Sequence, residues 1–365
     1  MATEKNSPFD FSLLSVVLIL MFFGLIMIYS ASAIWAEQHL GQSFYFLKRQ
    51  LFWAVFGVTA MGLISRIDYN RYREKIMPIL SVTVIGLLWA LLGHKVGGAR
   101  RWIKIGPLGL EPSEFAKISC IVILSYYLDK KRSRLRSPVA GLLMPGVLLA
   151  PIIFLISKEP DLGTPVLIFT VSLGLLFTAG VKLKHILSLL SLSIPVIAYE
   201  LIRFPYRRAR ILNFLSPFHD AKNTGYQLAQ SLIAVGRGGV FGQGLGASNI
   251  KLMYLPTPHT DFIFPILCEE LGLLGAVGLI GLFVFFAVKG TQIAKNAPNL
   301  FGSLLAAGIT WLISLQAFFN MAMSIGLLPT KGIPIPFVSF GGSSLLASLI
   351  GIGILLNISR QTKTA

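Results

Sequence analysis

Asp261 lies in the run Leu255-Pro-Thr-Pro-His-Thr-Asp-Phe-Ile-Phe264, immediately before a long apolar stretch. Two prolines hold the approach extended, which sets the carboxylate at a helix mouth on a membrane face, flanked by His259 and Thr260. Arg100, Arg101, Lys104, Arg207, Arg210 and Arg237 fall in segments on the same side of the bilayer. Arginine forks match phosphate oxygens, and a carboxylate beside them can act as general base toward a hydroxyl. Such a set suits a lipid-linked pyrophosphate lying in a bilayer with its head group outside, and transfer of a sugar with pyrophosphate leaving. A transporter for the same anionic lipid needs much the same charges. Helix capping is the structural alternative for Asp261, although Thr260 could do that job.

Other ionisable groups sit where lipid is expected, and such residues are functional candidates by default. Glu114 and Lys117, three apart, share a helix face and can form a self-neutralising pair. Asp161, in Lys158-Glu-Pro-Asp-Leu-Gly-Thr164, can line a site or cap the helix that begins near Gly163. Glu269 and Glu270 lie within the apolar stretch after Asp261, and Glu270, nine residues on, is expected roughly on the same helix face. The run Gly236-Arg-Gly-Gly-Val-Phe-Gly-Gln-Gly-Leu-Gly246 could offer backbone N–H groups to a phosphate, although it lacks P-loop spacing. Pro334-Ile-Pro336 and Gly341-Gly-Ser-Ser344 read as irregular backbone, tolerated at membrane depth only where protein or a water-filled cavity shelters it.

The elements that must position these groups are membrane helices. The 365 residues are 54% hydrophobic and only 13% charged, against about 25% charged in soluble domains. Two cysteines exclude a disulfide framework and a cysteine zinc cluster. A span takes about 20 apolar residues. Ten are expected, near 11–31, 49–66, 76–93, 112–129, 138–157, 163–181, 185–203, 262–288, 302–328 and 341–359. The fold class is thus an all-α integral membrane protein forming one polytopic domain. Residues 204–261 form a long extracytoplasmic loop between helices 7 and 8, Gly-rich and carrying short surface helices.

Ten spans put both termini on one side. Lys and Arg divide almost evenly, 16 on the terminal side and 15 on the other. The orientation rule weights short loops near span ends, and the densest cluster, Lys130-Lys131-Arg132-Ser133-Arg134-Leu135-Arg136, places the terminal side in the cytoplasm. The net charge of +17 is spread over both faces, which argues against nucleic acid as the partner. The opposite face carries more positive charge than the rule calls for. Either a long loop escapes the rule or that face binds an anion.

The chain resembles the SEDS family of bacterial cell-wall proteins, which includes FtsW, RodA and SpoVE. Gly98-Ala-Arg-Arg-Trp-Ile103, Pro112-Ser-Glu-Phe-Ala-Lys117, Pro160-Asp-Leu-Gly-Thr164 and Gly225-Tyr-Gln-Leu-Ala-Gln-Ser231 carry the first half of the match. Gly242-Gln-Gly-Leu-Gly246, His259-Thr-Asp-Phe-Ile-Phe264, Glu269-Glu-Leu-Gly272 and Pro336-Phe-Val-Ser-Phe-Gly-Gly-Ser-Ser344 carry the second. Leu327-Leu-Pro-Thr-Lys-Gly332, Pro205-Tyr-Arg207, Arg210 and Ser216-Pro217 are most similar to the FtsW branch. Phe340 stands where the family more often has tyrosine, and Lys158-Glu159 replaces a more usual neutral pair.

The resemblance implies a peptidoglycan glycosyltransferase acting on lipid II and an undecaprenyl-linked glycan strand. It makes Asp261 the essential residue, with general base as its role, and pairs Glu114 with Lys117 near a central cavity that also takes in Asp161 and Glu270. The basic outer residues, with Gln227, His259, Thr260 and Ser343, would bind substrate, with a divalent cation (Mg or Mn) as an optional helper. The implied partners are a class B penicillin-binding protein, other division proteins and membrane lipid. Two other readings compete: a lipid II flippase, which should string charges along a route through the bilayer, and a catalytically idle scaffold, in which Asp261 is dispensable. An elongation-type polymerase is the variant within the family.

Overall fold

The structure is a computed structural model that describes residues 10–93, 100–106, 108–159, 163–204, 208, 210, 212, 214–218, 225–248, 251 and 259–362. Its apolar stretches are helices: α1 (Phe11–Leu40), α2 (Tyr45–Ile64), α3 (Ile76–Leu92), α4 (Pro112–Lys130), α5 (Met144–Lys158), α6 (Gly163–Thr178) and α7 (Leu183–Arg203). After the 204–261 interval, which holds the amphipathic α8 (Tyr226–Gly238), follow α9 (Ile263–Asn296), α10 (Leu300–Ser324) and α11 (Gly342–Arg360). All ten expected spans are therefore helical. Length and composition suffice to cross a membrane in α1, α5 with the π-helical turn before it, α7, α9, α10 and α11. Two more, α3 and α6, are apolar but shorter, at 17 and 16 residues. The remaining two carry charge: Lys48 and Arg49 in α2, Glu114 and Lys117 in α4.

Local chemistry sets the helix ends. Asp10 caps α1 by accepting from the Leu13 N–H at 3.0 Å, and Asn299 caps α10 by accepting from the Gly302 N–H at 2.8 Å. Pro112 opens α4, where its missing N–H costs nothing. The centre of the bundle is α4, α10 and α11, with α2 packed along α11 and α9 along α10. By contrast, α7 keeps Leu187, Leu190, Ile194 and Ile197 exposed, as a lipid-facing helix does.

Among the described residues, the only strands form a two-stranded antiparallel hairpin, β1 (Ile103–Ile105) and β2 (Leu108–Leu110), with Lys104 opposite Gly109. It carries Lys104 and sits directly before α4.

Helix α9 is broken at Gly272, whose φ of 65° and ψ of −161° belong to a region open essentially to glycine alone. The break frees backbone groups at membrane depth, and the Gly-rich loop after α8 takes them up. The Leu273 and Leu274 N–H groups donate to the carbonyls of Gly239 and Val240, and the Gln243 and Gly244 N–H groups donate to those of Glu269 and Glu270. Those loop amides are thus spent on the helix rather than offered to a phosphate. A Cβ on Gly272 would lie 2.4 Å from the Gly242 nitrogen. Gly272→Ala is therefore expected to lower stability by at least the about 1–3 kcal/mol of backbone strain, read as a fall in melting temperature in detergent.

Candidate functional site

A cavity of about 680 Å3 opens among α2, α4, the hairpin, the turn before α9 and the segment between α10 and α11. Arg49 reaches it from the first turn of α2, Arg101 and Lys104 from the hairpin region, and Lys117 from α4. The acidic side is Glu111 and Glu114 around the start of α4, and Asp261 in the turn before α9. Four cationic side chains thus face three carboxylates in one space.

Several of these charges hold one another. Lys117 Nζ lies 2.7 Å from Glu114 Oε2 and donates to Gln316 Oε1 at 2.8 Å, with the pair's side chains 3% and 8% exposed. The i,i+3 pairing expected of the two is formed, and Gln316 fixes its far end. Arg101 Nε is 3.7 Å from Glu111 Oε1. Arg49 donates to the Tyr45 hydroxyl at 3.0 Å.

The Asp261 turn is braced by α10 and by the non-helical segment that follows it. Its carbonyl accepts from Asn320 Nδ2 at 2.8 Å, and the His259 carbonyl accepts from the Phe340 N–H at 2.9 Å. That segment is itself sheltered and satisfied: the Gly341 N–H donates to Gln50 Oε1, and the Ile335 N–H to the Ser339 hydroxyl. The N-cap position of α9 is Phe262, with no side-chain capping bond there. Neither Asp261 nor Thr260 occupies the cap position itself. Gly332 lies against the carboxylate: a Cβ there would sit 3.2 Å from Asp261 Oδ2. Gly332→Ala is expected to push the carboxylate by a few tenths of an ångström. The rate should fall by less than the roughly 100-fold that a 1 Å misplacement costs, with the melting temperature unchanged.

Among the residues singled out in the sequence, Arg101, Lys104, Glu114, Lys117, Thr260, Asp261 and Ser343 line this cavity. Ser343, expected to bind substrate, spends its hydroxyl on the wall, accepting from the Glu111 N–H at 2.9 Å and lying 3.4 Å from the Gly109 carbonyl. His259 is packed under the floor, its ring 4.0 Å from Phe46 and 5.4 Å from Phe340 by centroid. Burial pulls its pKa down to about 4, so the imidazole is neutral and gives no charge to a phosphate. Arg100, Arg210, Gln227 and Arg237 do not line the cavity. The Arg237 backbone carbonyl accepts from Gln243 Nε2 at 2.7 Å. Arg207 and Asp161 lie outside the described residues.

Glu270 corrects the expectation of a face shared with Asp261. Nine residues are two and a half helical turns, which is the opposite face, and Asp261 precedes the helix. Glu270 is fully buried elsewhere, 2.9 Å from Lys251 Nζ and accepting from the Ser30 hydroxyl at 2.7 Å. Glu269 beside it accepts from the Ser248 hydroxyl. This second cluster ties the end of the Gly-rich loop to α1 and α9, away from the cavity.

Arg49, Glu111, Gln316 and Asn320 were not foreseen. A charge at the very start of an apolar run was a usable signal for Arg49. Gln316 and Asn320 offered a weaker one, as uncharged amides four apart inside a span. For a divalent cation, the described residues present no group of three His, Cys, Asp or Glu side chains that could form a cage. Magnesium is commonly held by one or two carboxylates plus the substrate's own phosphates.

The fold and the cavity define a class: a multi-pass helical membrane protein with a charge-lined chamber walled by irregular backbone. The family model described as cell cycle protein, for FtsW, RodA and SpoVE, matches residues 11–364. A Probable peptidoglycan glycosyltransferase FtsW of Trichlorobacter lovleyi is 43% identical over 99% of this chain and 96% of its own. Stage V sporulation protein E of Bacillus subtilis is 39% identical over the full length of both. A solved chain from a study of how a peptidoglycan synthase complex coordinates polymerization and crosslinking superposes with a TM-score of 0.81. It has 26% identity and covers 96% of this chain and 98% of that one. The chain belongs to the FtsW/RodA/SpoVE family.

Proposed function

We propose that this protein is a peptidoglycan glycosyltransferase that polymerises lipid II at the outer face of the bacterial cytoplasmic membrane during cell division. The observation that carries the reading is the joint placement of the Asp261 carboxylate and four cations around one cavity of about 680 Å3. Asp261 takes the proton from the GlcNAc 4-hydroxyl of one lipid II as that oxygen attacks C1 of the MurNAc on the lipid-linked chain. The C1–O bond to pyrophosphate breaks, undecaprenyl pyrophosphate leaves, and a β-1,4 bond replaces an α linkage with inversion. The leaving group carries two or more negative charges. Arg49, Arg101 and Lys104 line the cavity, where they can receive that charge as it develops, and cations set at the developing charge lower a barrier. The hairpin carries Lys104 on that wall, and Arg101 pairs there with Glu111 at 3.7 Å.

Both termini are cytoplasmic in this reading, with the 130–136 basic cluster inside and the cavity mouth outside. The family description, cell cycle protein, supports the division role. The partner is a class B penicillin-binding protein that cross-links the product at the septum, among other division proteins. Transport is the second reading. Beside the Glu114–Lys117 pair, a separate pocket lined also by Ile118, Ile313 and Gly351 holds only about 10 Å3, hardly room for one water.

The test is to purify the full chain with its cognate transpeptidase and supply labelled lipid II. Glycan strands are expected. Labelled lipid II crossing a vesicle membrane without polymer would replace this reading with transport.

A further inference from the structure

One face of α10 carries two buried amides a single turn apart, Gln316 and Asn320, 2% and 0% exposed. Gln316 takes Lys117 Nζ on its oxygen and gives its nitrogen to the Pro334 carbonyl at 3.0 Å. Asn320 uses both hydrogens of one nitrogen: Nδ2 donates to the Asp261 carbonyl at 2.8 Å and to the Ile333 carbonyl at 2.6 Å. No flip of the amide serves, since both partners are acceptors and only the NH2 end can donate. Its own oxygen finds no hydrogen-bond partner among the described residues. A buried acceptor left that way is costly, so the side chain is held for its two donors.

Those donors join the two walls that matter. Asp261 belongs to the turn before α9, while Ile333 follows Gly332, the residue that lies against the Asp261 carboxylate. The two segments are far apart in sequence and meet here at coil, where no helical ladder fixes their register. Asn320 supplies it with one atom. We propose that Asn320 is a positioning residue for this reaction, setting the Asp261 carboxylate against the segment between α10 and α11. The proposal rests on the polymerase reading and deepens it. Asn320 touches no substrate and acts through Asp261.

The test uses the full chain with its transpeptidase and labelled lipid II, comparing Asn320→Ala, the near-isosteric Asn320→Asp and the control Thr310→Val. Thr310 is on the same helix, fully buried, and among the described residues its hydroxyl bonds within α10, to the Ala306 carbonyl. Both Asn320 variants should lose kcat by about 100-fold, the scale of a 1 Å misplacement, with KM within about twofold; aspartate fails because it opposes two carbonyls with acceptors. Thr310→Val should keep wild-type kcat. On the residual rate of Asp261→Ala, adding Asn320→Ala should cost nothing more, as groups acting as a unit are not additive. Wild-type kcat in Asn320→Ala would overturn the proposal. So would a full multiplicative loss in the double variant, or equal losses in Asn320→Ala and Thr310→Val that track loss of folded protein. A wild-type complex that makes no polymer would instead remove the polymerase reading, and this inference with it.

Discussion

Asp261→Ala is expected to stop glycan polymerisation while leaving the protein folded. A positioned general base contributes roughly 100- to 10,000-fold, so long strands should vanish and only a trace rate persist. Asp261→Asn, which keeps shape and removes the proton acceptor, should fall as far. The structural alternative makes a different forecast. A helix cap lost to alanine costs about 0.5–2 kcal/mol, which would appear as a lower melting temperature with activity kept. The α9 N-cap position is Phe262 rather than Asp261, and the general-base reading expects no such loss. Equal melting temperatures with unequal polymer would assign Asp261 to chemistry. Equal polymer from Asp261→Ala and wild type would end that role and favour the scaffold.

The loss should also appear at saturating lipid II. The carboxylate meets a proton only in the reacting state, so removing it should lower kcat and kcat/KM alike. Arg101→Ala and Lys104→Ala contact the pyrophosphate throughout binding and departure. They should raise KM as well, and each by less than the Asp261 change, because four cations share the cavity.

How much of this was legible depends on whether the signal was local. Apolar runs mark helices, so all ten spans were visible, and Glu114 and Lys117 declare their pairing by spacing alone. Arg49 is one of two adjacent charges at a span start, and only the packing of α2 along α11 brings it to the cavity that Arg101 lines. The hairpin was missed because three-residue strands are too short for a period. The Gly-rich run after α8 looked like an anion loop because glycine-rich backbone suits several uses. Which use holds was decided by the break at Gly272, which lies in another element. Glu270 was misplaced for a simpler reason, since nine residues is a half-turn offset and the helix starts after Asp261. Asn320 and Gln316 carry no charge and no motif. Their partners, the Asp261, Ile333 and Pro334 carbonyls, are backbone atoms that sequence patterns do not mark.

Lys117→Met is the second large effect, and it separates folding from function. Lys117 and Glu114 are nearly fully buried, and removing one partner of such a pair leaves a naked charge, at a cost of about 3–5 kcal/mol. The single variant should therefore melt lower and lose activity, which alone decides nothing. Glu114→Gln combined with Lys117→Met removes both charges, and such replacements are often neutral for stability. The melting temperature should recover in the double variant. Activity should not, because the cavity then keeps three cations instead of four beside the departing pyrophosphate. Recovery of both would make the pair a structural ion pair and nothing more. Recovery of stability alone would place Lys117 in the machinery that carries the leaving group's charge, with Gln316 as the residue that aims it.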